Sequence, residues 1–315
     1  MSKYFIGVDG GQSSTTALIG DETGRVIGFG RGGPCNHVGA TEGRPKFLNA
    51  VGGCVRVACE QAGLERAEFE AAFLGFSGGP ADKEALIGEF LSTKQLSVTH
   101  DAVIALSGAC AGEPGIITIG GTGSIAYGRN AAGTVARSGG WGYVFGDEGG
   151  GFDITRQALR AALRHEEGWG APTVLRERLL ETTGARDADE LLHCFYTADY
   201  PRSRVATFSK LVDAVAAEGD PVAQQIIDNA AHQLAGLASA VRGQIFAAGE
   251  PARVCYIGGV FRSERLLERY RMLVELDDGN QCGAPIYGPA AGALIEAYRL
   301  SGLQPKLVNV PEFEK

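Results

Sequence analysis

Short apolar runs alternate with glycine-rich breaks through the first third of the chain, and a three-to-four-residue period takes over later. Residues 5–9 predict a buried strand, because apolar and small side chains fill the run up to Asp9. A polar loop, Gly10-Gly11-Gln12-Ser13-Ser14-Thr15, leads into a returning strand at 16–19. A tight turn at 21–24 and a third strand at 25–30 follow. The same order recurs about a hundred residues later. There a strand at 116–119 meets Gly120-Gly121-Thr122-Gly123-Ser124, followed by strands at 125–129 and 134–138. Such a repeat predicts two domains of like fold.

Between the repeats, Phe47, Val51, Val55, Ala58 and Ala62 give residues 42–63 a helical stripe. Strands at 71–76 and 97–100 and helices at 82–91 and 102–111 complete a β-β-β-α-β-α-β-α order. That is an α/β layer with ligand groups at its strand ends. The second half becomes largely helical, over 152–163, 173–183, 188–196, 203–218 and 222–248, with 230–241 alanine-rich enough to be buried on most sides. A strand at 252–257 ends in Gly258-Gly259, and helices at 262–273 and 290–300 close the chain.

Composition narrows the function. A length of 315 residues suffices for two cores. The formal net charge of −8, with no basic cluster interleaved with aromatics, argues against a nucleic-acid platform. No apolar run approaches the roughly 20 residues that span a bilayer. The N-terminus passes straight into a strand, so a cytoplasmic protein with no membrane partner is expected. Seven cysteines without a CxxC pair are expected as free thiols.

Glycines at strand ends let backbone N–H groups converge on an anion, most often a phosphate. Three such places, 10–15, 120–124 and 258–259, suit one nucleotide, two on its phosphates and one on its adenosine. Ser13, Thr15, Thr122 and Ser124 add hydroxyl donors. Asp9, ending the first strand, suits Mg²⁺ held directly or through water, or else caps the turn. Asp101 leaves the 97–100 strand and opens a helix. It suits the carboxylate that takes an alcohol proton during phosphoryl transfer, or else an N-cap. Asn36 and His37 offer hydrogen-bonding groups in the loop after the third strand, which no packing argument requires, with a solvent-facing turn as the alternative. The cluster Gly139-Gly140-Trp141-Gly142 and Gly146-Asp147-Glu148-Gly149 sets a ring beside two acids. Asp147 there reads as a sugar-hydroxyl acceptor or as a capping acid.

The segments VDGGQSST (8–15), Asn36-His37, HDAVIALSGACAGEPGIITIGGTGS (100–124), GGWG (139–142), GDEGGGF (146–152) and IGGVFRS (257–263) resemble the actin/hexokinase/Hsp70 ATPase superfamily. More narrowly, they resemble the N-acetylglucosamine kinases and archaeal-type hexokinases of the family that includes the benzoyl-CoA reductase ATPase subunits. The resemblance implies an α/β fold of two actin-like, ribonuclease H-like domains with an interdomain ATP/sugar cleft and a helix-rich C-terminal half. Residues 1–114 would form the first domain, completed by the C-terminal helix (290–315), and residues 115–289 the second. It implies ATP and Mg²⁺ as cofactors, Asp9 as the metal-side carboxylate and Asp101 as the base. Asn36, His37, Gly139, Gly140, Trp141 and Asp147 would bind the sugar. Gly10, Gly11, Gln12, Ser13, Thr15, Gly121, Thr122, Gly123, Gly258 and Gly259 would bind ATP, with Ala206 and Ser263 near the adenosine. A homodimer is also implied. Gln12 departs from the pattern, which often has a third glycine there.

The activity so implied is transfer of the γ-phosphoryl group to the 6-hydroxyl of N-acetylglucosamine or a related hexosamine or hexose. One alternative is an ATPase that activates a reductase or dehydratase through an iron–sulfur cluster, but residues 116–125 carry no cysteine to hold one. Another is a non-catalytic sugar sensor, in which the base would be dispensable, whereas Asp101 is present.

Overall fold

Chain contacts divide the protein into two units, Met1–Glu113 with Pro285–Lys315, and Pro114–Ala284. The computed structural model describes residues 2–11, 14–35, 43–64, 68–77 and 83–315.

The first unit begins with β1 (Tyr4–Gly10), β2 (Thr15–Asp21) and β3 (Val26–Gly32). There follow α1 (Gly43–Phe47), a π-helical turn at Leu48–Gly52, α2 (Gly53–Ala62) and β4 (Ala71–Phe76). The unit continues with α3 (Lys83–Ile87), β5 (Leu96–His100) and α4 (Asp101–Ala109). The sheet order is β3-β2-β1-β4-β5, with β1 antiparallel to β2 and parallel to β4, and β4 parallel to β5. Successive side chains of a strand point to opposite faces. Ile6, Val8, Ala17 and Ile19 thus enter one core with Phe47, Val51 and Val55. Phe5, Leu18 and Phe73 enter the other, with Ile104, Leu294 and Tyr298. Burial on both faces is why these strands read as apolar runs rather than as alternation. On β3, a side chain at Gly30 would run into the backbone carbonyl of Cys54, so glycine there lets α2 lie against the strand.

The single helix expected over 42–63 is realised as α1, the π turn and α2, ending at left-handed Gly63 (φ 69°). Residue 42 lies outside the described residues, as does 82, the expected start of a helix of which α3 keeps only 83–87. The N-cap reading of Asp101 is corrected. The cap position is His100 (φ −80°, ψ 150°), and Asp101 is the first helical residue.

The second unit repeats the plan. It holds β6 (Gly115–Gly120), β7 (Ser124–Arg129), β8 (Val135–Gly139), α5 (Gly151–Glu166), α6 (Leu175–Thr183) and α7 (Ala188–Phe195). It continues with α8 (Arg202–Thr207), α9 (Ser209–Ala217), α10 (Pro221–Ile245), β9 (Ala252–Ile257), α11 (Glu264–Val274) and β10 (Asn280–Gly283). Its sheet order, β8-β7-β6-β9-β10, matches the first unit strand for strand.

The helix expected over 203–218 is broken at Phe208 into α8 and α9. The alanine-rich part of α10 is buried on one side rather than most. Ala230, Ala231, Leu234, Ala235 and Ala238 face the core, while His232, Gln233, Gly236 and Ser239 are exposed. Asp220 caps α10 by accepting the Val222 and Ala223 N–H groups at 2.9 Å, with Pro221 at the first helical position. Among the described residues no helix is long and apolar enough to cross a membrane.

The chain then returns to the first unit as α12 (Pro289–Leu300), whose Tyr298 hydroxyl donates to the Asp21 carbonyl at 2.7 Å.

Candidate active site

In the first unit the sheet register sets Gly10 beside Phe76 and Phe76 beside His100, so the carboxyl ends of β1, β4 and β5 are level. Ligand groups in open α/β sheets gather at this edge. Asp9 lies one residue before the edge and Asp101 one residue past it, on backbones about 10 Å apart. Burial pushes the Asp9 carboxyl up to about 7, and the nearby acids Glu314 and Asp101 push the same way.

Glu314 is itself buried at the N-terminus of α12, where its carboxylate accepts the Ala291 N–H at 3.0 Å. Burial raises its pKa, against the Ala291 and Ala290 N–H groups and Arg31. One cation also belongs to this edge. The Lys83 ammonium sits 5.0 Å over the Phe76 ring, lowered in pKa by burial and held up by Cys35 and Asp101. The Cys35 thiol is pushed up by burial, which keeps it in its unreactive neutral form.

Thr15 was expected to meet ATP with its hydroxyl, and here the structure corrects the expectation. The residue is fully buried and its hydroxyl donates to the Gly33 carbonyl at 2.8 Å, so it braces the loop from behind. Gly10 and Gly11 stay at the strand end, with the Gly11 N–H closing on the Ser14 carbonyl at 2.9 Å. Gln12, Ser13, Asn36 and His37 lie outside the described residues.

Among the described residues no trio of His, Cys, Asp or Glu side chains is placed to hold a metal. Mg²⁺ keeps most of its waters and takes one or two protein carboxylates, so Asp9 suits it without such a trio. Its raised proton affinity comes first from burial, and a cation would offset the smaller part that comes from Glu314 and Asp101.

The sign of that shift yields a prediction. A carboxyl that titrates near 7 folded and near 3.8 unfolded binds its proton more tightly in the folded state. Stability therefore falls as pH rises between those values. In metal-free buffer Asp9→Asn is expected to melt above the wild type at about pH 8 and level with it at about pH 4. A difference that does not grow with pH contradicts the assignment.

In the second unit the β6–β7 loop is held from three directions. The Gly121 N–H bonds to the Gly123 carbonyl at 2.9 Å, closing the turn. The Gly151 N–H reaches the Gly121 carbonyl at 2.8 Å, the Phe152 N–H reaches Thr122 at 3.1 Å, and the Ser124 hydroxyl donates to the Glu148 carbonyl at 2.6 Å. The Gly140 N–H donates to the Ser124 carbonyl at 2.9 Å, with Gly139 and Gly140 both left-handed (φ 77° and 72°). Gly258, at φ 117°, lies so close that any Cβ would strike the Gly120 carbonyl. The glycine clusters of this half thus converge on one loop. The Thr122 hydroxyl has no partner among the described residues, as a phosphate donor requires.

Asp147 is buried at a left-handed φ of 64°, ion-paired to Arg202, with the Ser124 N–H 3.4 Å from its Oδ1. The Arg202 guanidinium lies over Tyr143 at 5.2 Å and Phe152 at 6.0 Å. Trp141 is 66% exposed, with Arg137 stacked on it at 4.7 Å.

A cavity of about 300 Å³ has Ser209, Asp213, Gly259 and Ser263 in its wall. Ser263 caps α11 by accepting the Leu266 N–H at 3.2 Å and donates to Asp213. Buried Ala206 stands behind the wall and takes the Ser209 hydroxyl on its carbonyl at 2.8 Å.

Sequence reasoning missed Lys83, Glu314, Arg202 and Asp213. Arg202 lies 55 positions from its partner Asp147, and no local spacing signals such a pair.

The BadF/BadG/BcrA/BcrD ATPase family model matches residues 6–297. An N-acetylmuramic acid/N-acetylglucosamine kinase of Clostridium acetobutylicum is 30% identical over 289 residues, which is 87% of this chain and 91% of that protein. An N-acetyl-D-glucosamine kinase of Dictyostelium discoideum is 30% identical over 256 residues, 76% of this chain and 80% of its own. The solved structure of a Chromobacterium violaceum protein provisionally named N-acetylglucosamine kinase is 28% identical, with a TM-score of 0.71 over 93% of this chain and 98% of that one. A ROK family glucokinase of Streptomyces griseus, 18% identical with a TM-score of 0.55 over 94% of this chain and 99% of its own, shares the fold. With two sheets of one topology, glycine loops at their strand ends and a family match over nearly the whole chain, this protein belongs to the BadF/BadG/BcrA/BcrD ATPase family.

Proposed function

We propose that the protein is an amino-sugar kinase, moving the γ-phosphoryl group of ATP to the 6-hydroxyl of N-acetylglucosamine or a related hexosamine. The observation that carries this reading is the pair of carboxylates, Asp9 and Asp101, at the level carboxyl edge of β1, β4 and β5. One would serve the metal and the other the alcohol. Kinases for N-acetylglucosamine among the similar proteins support the substrate class.

Asp101 is assigned to orient the sugar hydroxyl and accept its proton as the new P–O bond forms. Lys83, whose charge is coupled to Asp101, holds positive charge near the same edge. Mg²⁺, when bound, supplies positive charge against the phosphate oxygens, and Asp9 would hold it directly or through water. The backbone N–H groups of Thr122 and Gly123 and the Thr122 hydroxyl are assigned to phosphate, and the cavity at Ser209, Gly259 and Ser263 to the adenosine. Asp147 and Trp141 are assigned to the sugar. With one face of its carboxylate already held by Arg202, Asp147 is oriented before any sugar arrives.

The test is ADP release from MgATP with N-acetylglucosamine, N-acetylmuramic acid, glucosamine, glucose, mannose or no sugar. Release that requires a hexosamine supports the reading, and release indifferent to sugar defeats it.

Ser263→Ala separates the nucleotide end from the sugar end. It removes the α11 cap at a cost of about 1 kcal/mol. The KM for ATP is expected to rise several-fold while the KM for the sugar stays unchanged, as initial-rate measurements would show. Equal changes in both would displace the adenosine assignment.

A further inference from the structure

Within the second unit, α5 and α10 wall a cavity of about 740 Å³ that the kinase reading does not use. Arg156, Arg160 and Arg164 recur every four residues on α5, so they stack on one helix face. Across from them Gln225, Asn229 and Gln233 recur with the same step on α10. Two polar rows thus face each other in a space of ligand size.

The arginines are poorly neutralised. Arg160 makes no ion pair or hydrogen bond among the described residues. Arg164 only stacks over Trp169, at 4.8 Å. Arg156 reaches the Asp153 carboxylate at 2.6 Å and the Tyr143 carbonyl at 3.3 Å, yet its Nε is buried with no partner. Gln225 donates to the Asn229 carbonyl oxygen at 2.9 Å, leaving the Asn229 amide hydrogens and the Gln225 oxygen to a ligand. Gln233 has no partner among the described residues.

A row of arginines on an exposed helix is ordinarily a solvated face. Here the row lines a concavity, in a chain of net charge −8, and looks across onto the α10 amides, while the two acids of the wall, Glu148 and Asp153, stand at its inner end, Asp153 paired with Arg156. Guanidinium groups match phosphate oxygens two at a time. Primary amides pair with hydroxyls as donor and acceptor.

We propose that this groove is a second ligand site, for a small phosphate monoester that carries hydroxyl groups, with the phosphate on Arg160 and Arg164 and the hydroxyls on the α10 amides. The inner end of the groove is tied to the β6–β7 loop. Asp153, which holds Arg156, also accepts the Gly149 N–H at 3.1 Å, and the Glu148 carbonyl holds Ser124. The proposal does not depend on the kinase reading, because binding is read without turnover.

The experiment is calorimetric titration of the full chain, without ATP, using glycerol 3-phosphate, N-acetylglucosamine 6-phosphate and citrate. Emission is followed in parallel, since Trp169 is one of only two tryptophans and touches Arg164. Saturable binding of both phosphate esters is expected, tighter for the sugar ester, with a change in emission that Trp169→Phe abolishes. Arg160→Glu, an exposed substitution, is expected to weaken that binding by about tenfold or more while leaving MgATP affinity unchanged. Three results would each overturn the site: no saturable heat, equal affinity in Arg160→Glu, or citrate bound as tightly as the esters. The second of these would assign the sugar ester to the kinase site instead.

Discussion

Asp101→Asn is expected to lower sugar-dependent phosphoryl transfer by about 10² to 10⁴-fold, the range that removal of a positioned general base produces. The amide keeps the size and a hydrogen-bond acceptor for the hydroxyl but takes no proton. Sugar KM should therefore change little while kcat collapses, the signature of an interaction made only in the transition state. A structural role would give the opposite pattern. Asp101 is the first residue of α4 rather than its cap, and His100 fills the cap position without a side-chain bond. Asparagine should thus cost α4 no more than a fraction of a kcal/mol through the helix dipole. A melting temperature within a few degrees of the wild type, together with a lost kcat, is the expected pair of results. A variant that loses stability and keeps kcat would remove Asp101 from the chemistry.

Gly258→Ala is expected to damage nucleotide binding more than any other single substitution in the second unit. At φ 117° and ψ 170° the backbone occupies a region that only glycine enters without strain, costing other residues about 1–3 kcal/mol. The added methyl would also strike the backbone carbonyl of Gly120, where there is no flexible side chain to yield. Either β9 retreats or the β6–β7 loop shifts. That loop is already fixed through Gly151, Phe152 and Ser124, so movement there disturbs every N–H group aimed at phosphate. A loss of about 2 kcal/mol or more in stability is expected. The rise in melting temperature on adding MgATP, which a bound ligand gives by mass action, should be largely lost. A variant with the wild-type ATP-induced rise would mean that this loop does not carry the nucleotide.

The repeat of strand, glycine loop and strand was legible because the first sheet is buried on both faces, which turns its strands into apolar runs with polar ends, and β6 in the second sheet is likewise almost wholly buried. The duplicated strand order in the two sheets follows from that repeat. β10 was not legible. Asn280–Gly283 is four residues long and mostly polar, and it is a strand because β9 offers it a parallel edge. The break at Phe208 was hidden for a similar reason. Its helical spacing is sound, and the ring turns instead into a cluster with Phe195 and Tyr200.

Of the site, Asp9, Asp101 and the glycine loops announced themselves by lying at strand ends. Thr15 misled because a hydroxyl in a glycine loop reads as a donor to ligand, whereas folding turns it onto Gly33. Arg202 reaches Asp147 in the second unit, and Glu314 reaches the Asp9 edge of the first from the far terminus by way of α12, only through distant chain crossings, while Lys83 follows β4 closely but shows no motif.

The account rests on sugar-dependent transfer, and ³¹P NMR of the wild-type reaction with MgATP and N-acetylglucosamine tests it most directly. The expected spectrum gains one phosphomonoester resonance coupled to the C6 protons, in step with ADP and absent without sugar. Inorganic phosphate accumulating at the same rate with and without sugar, and no ester, would contradict it.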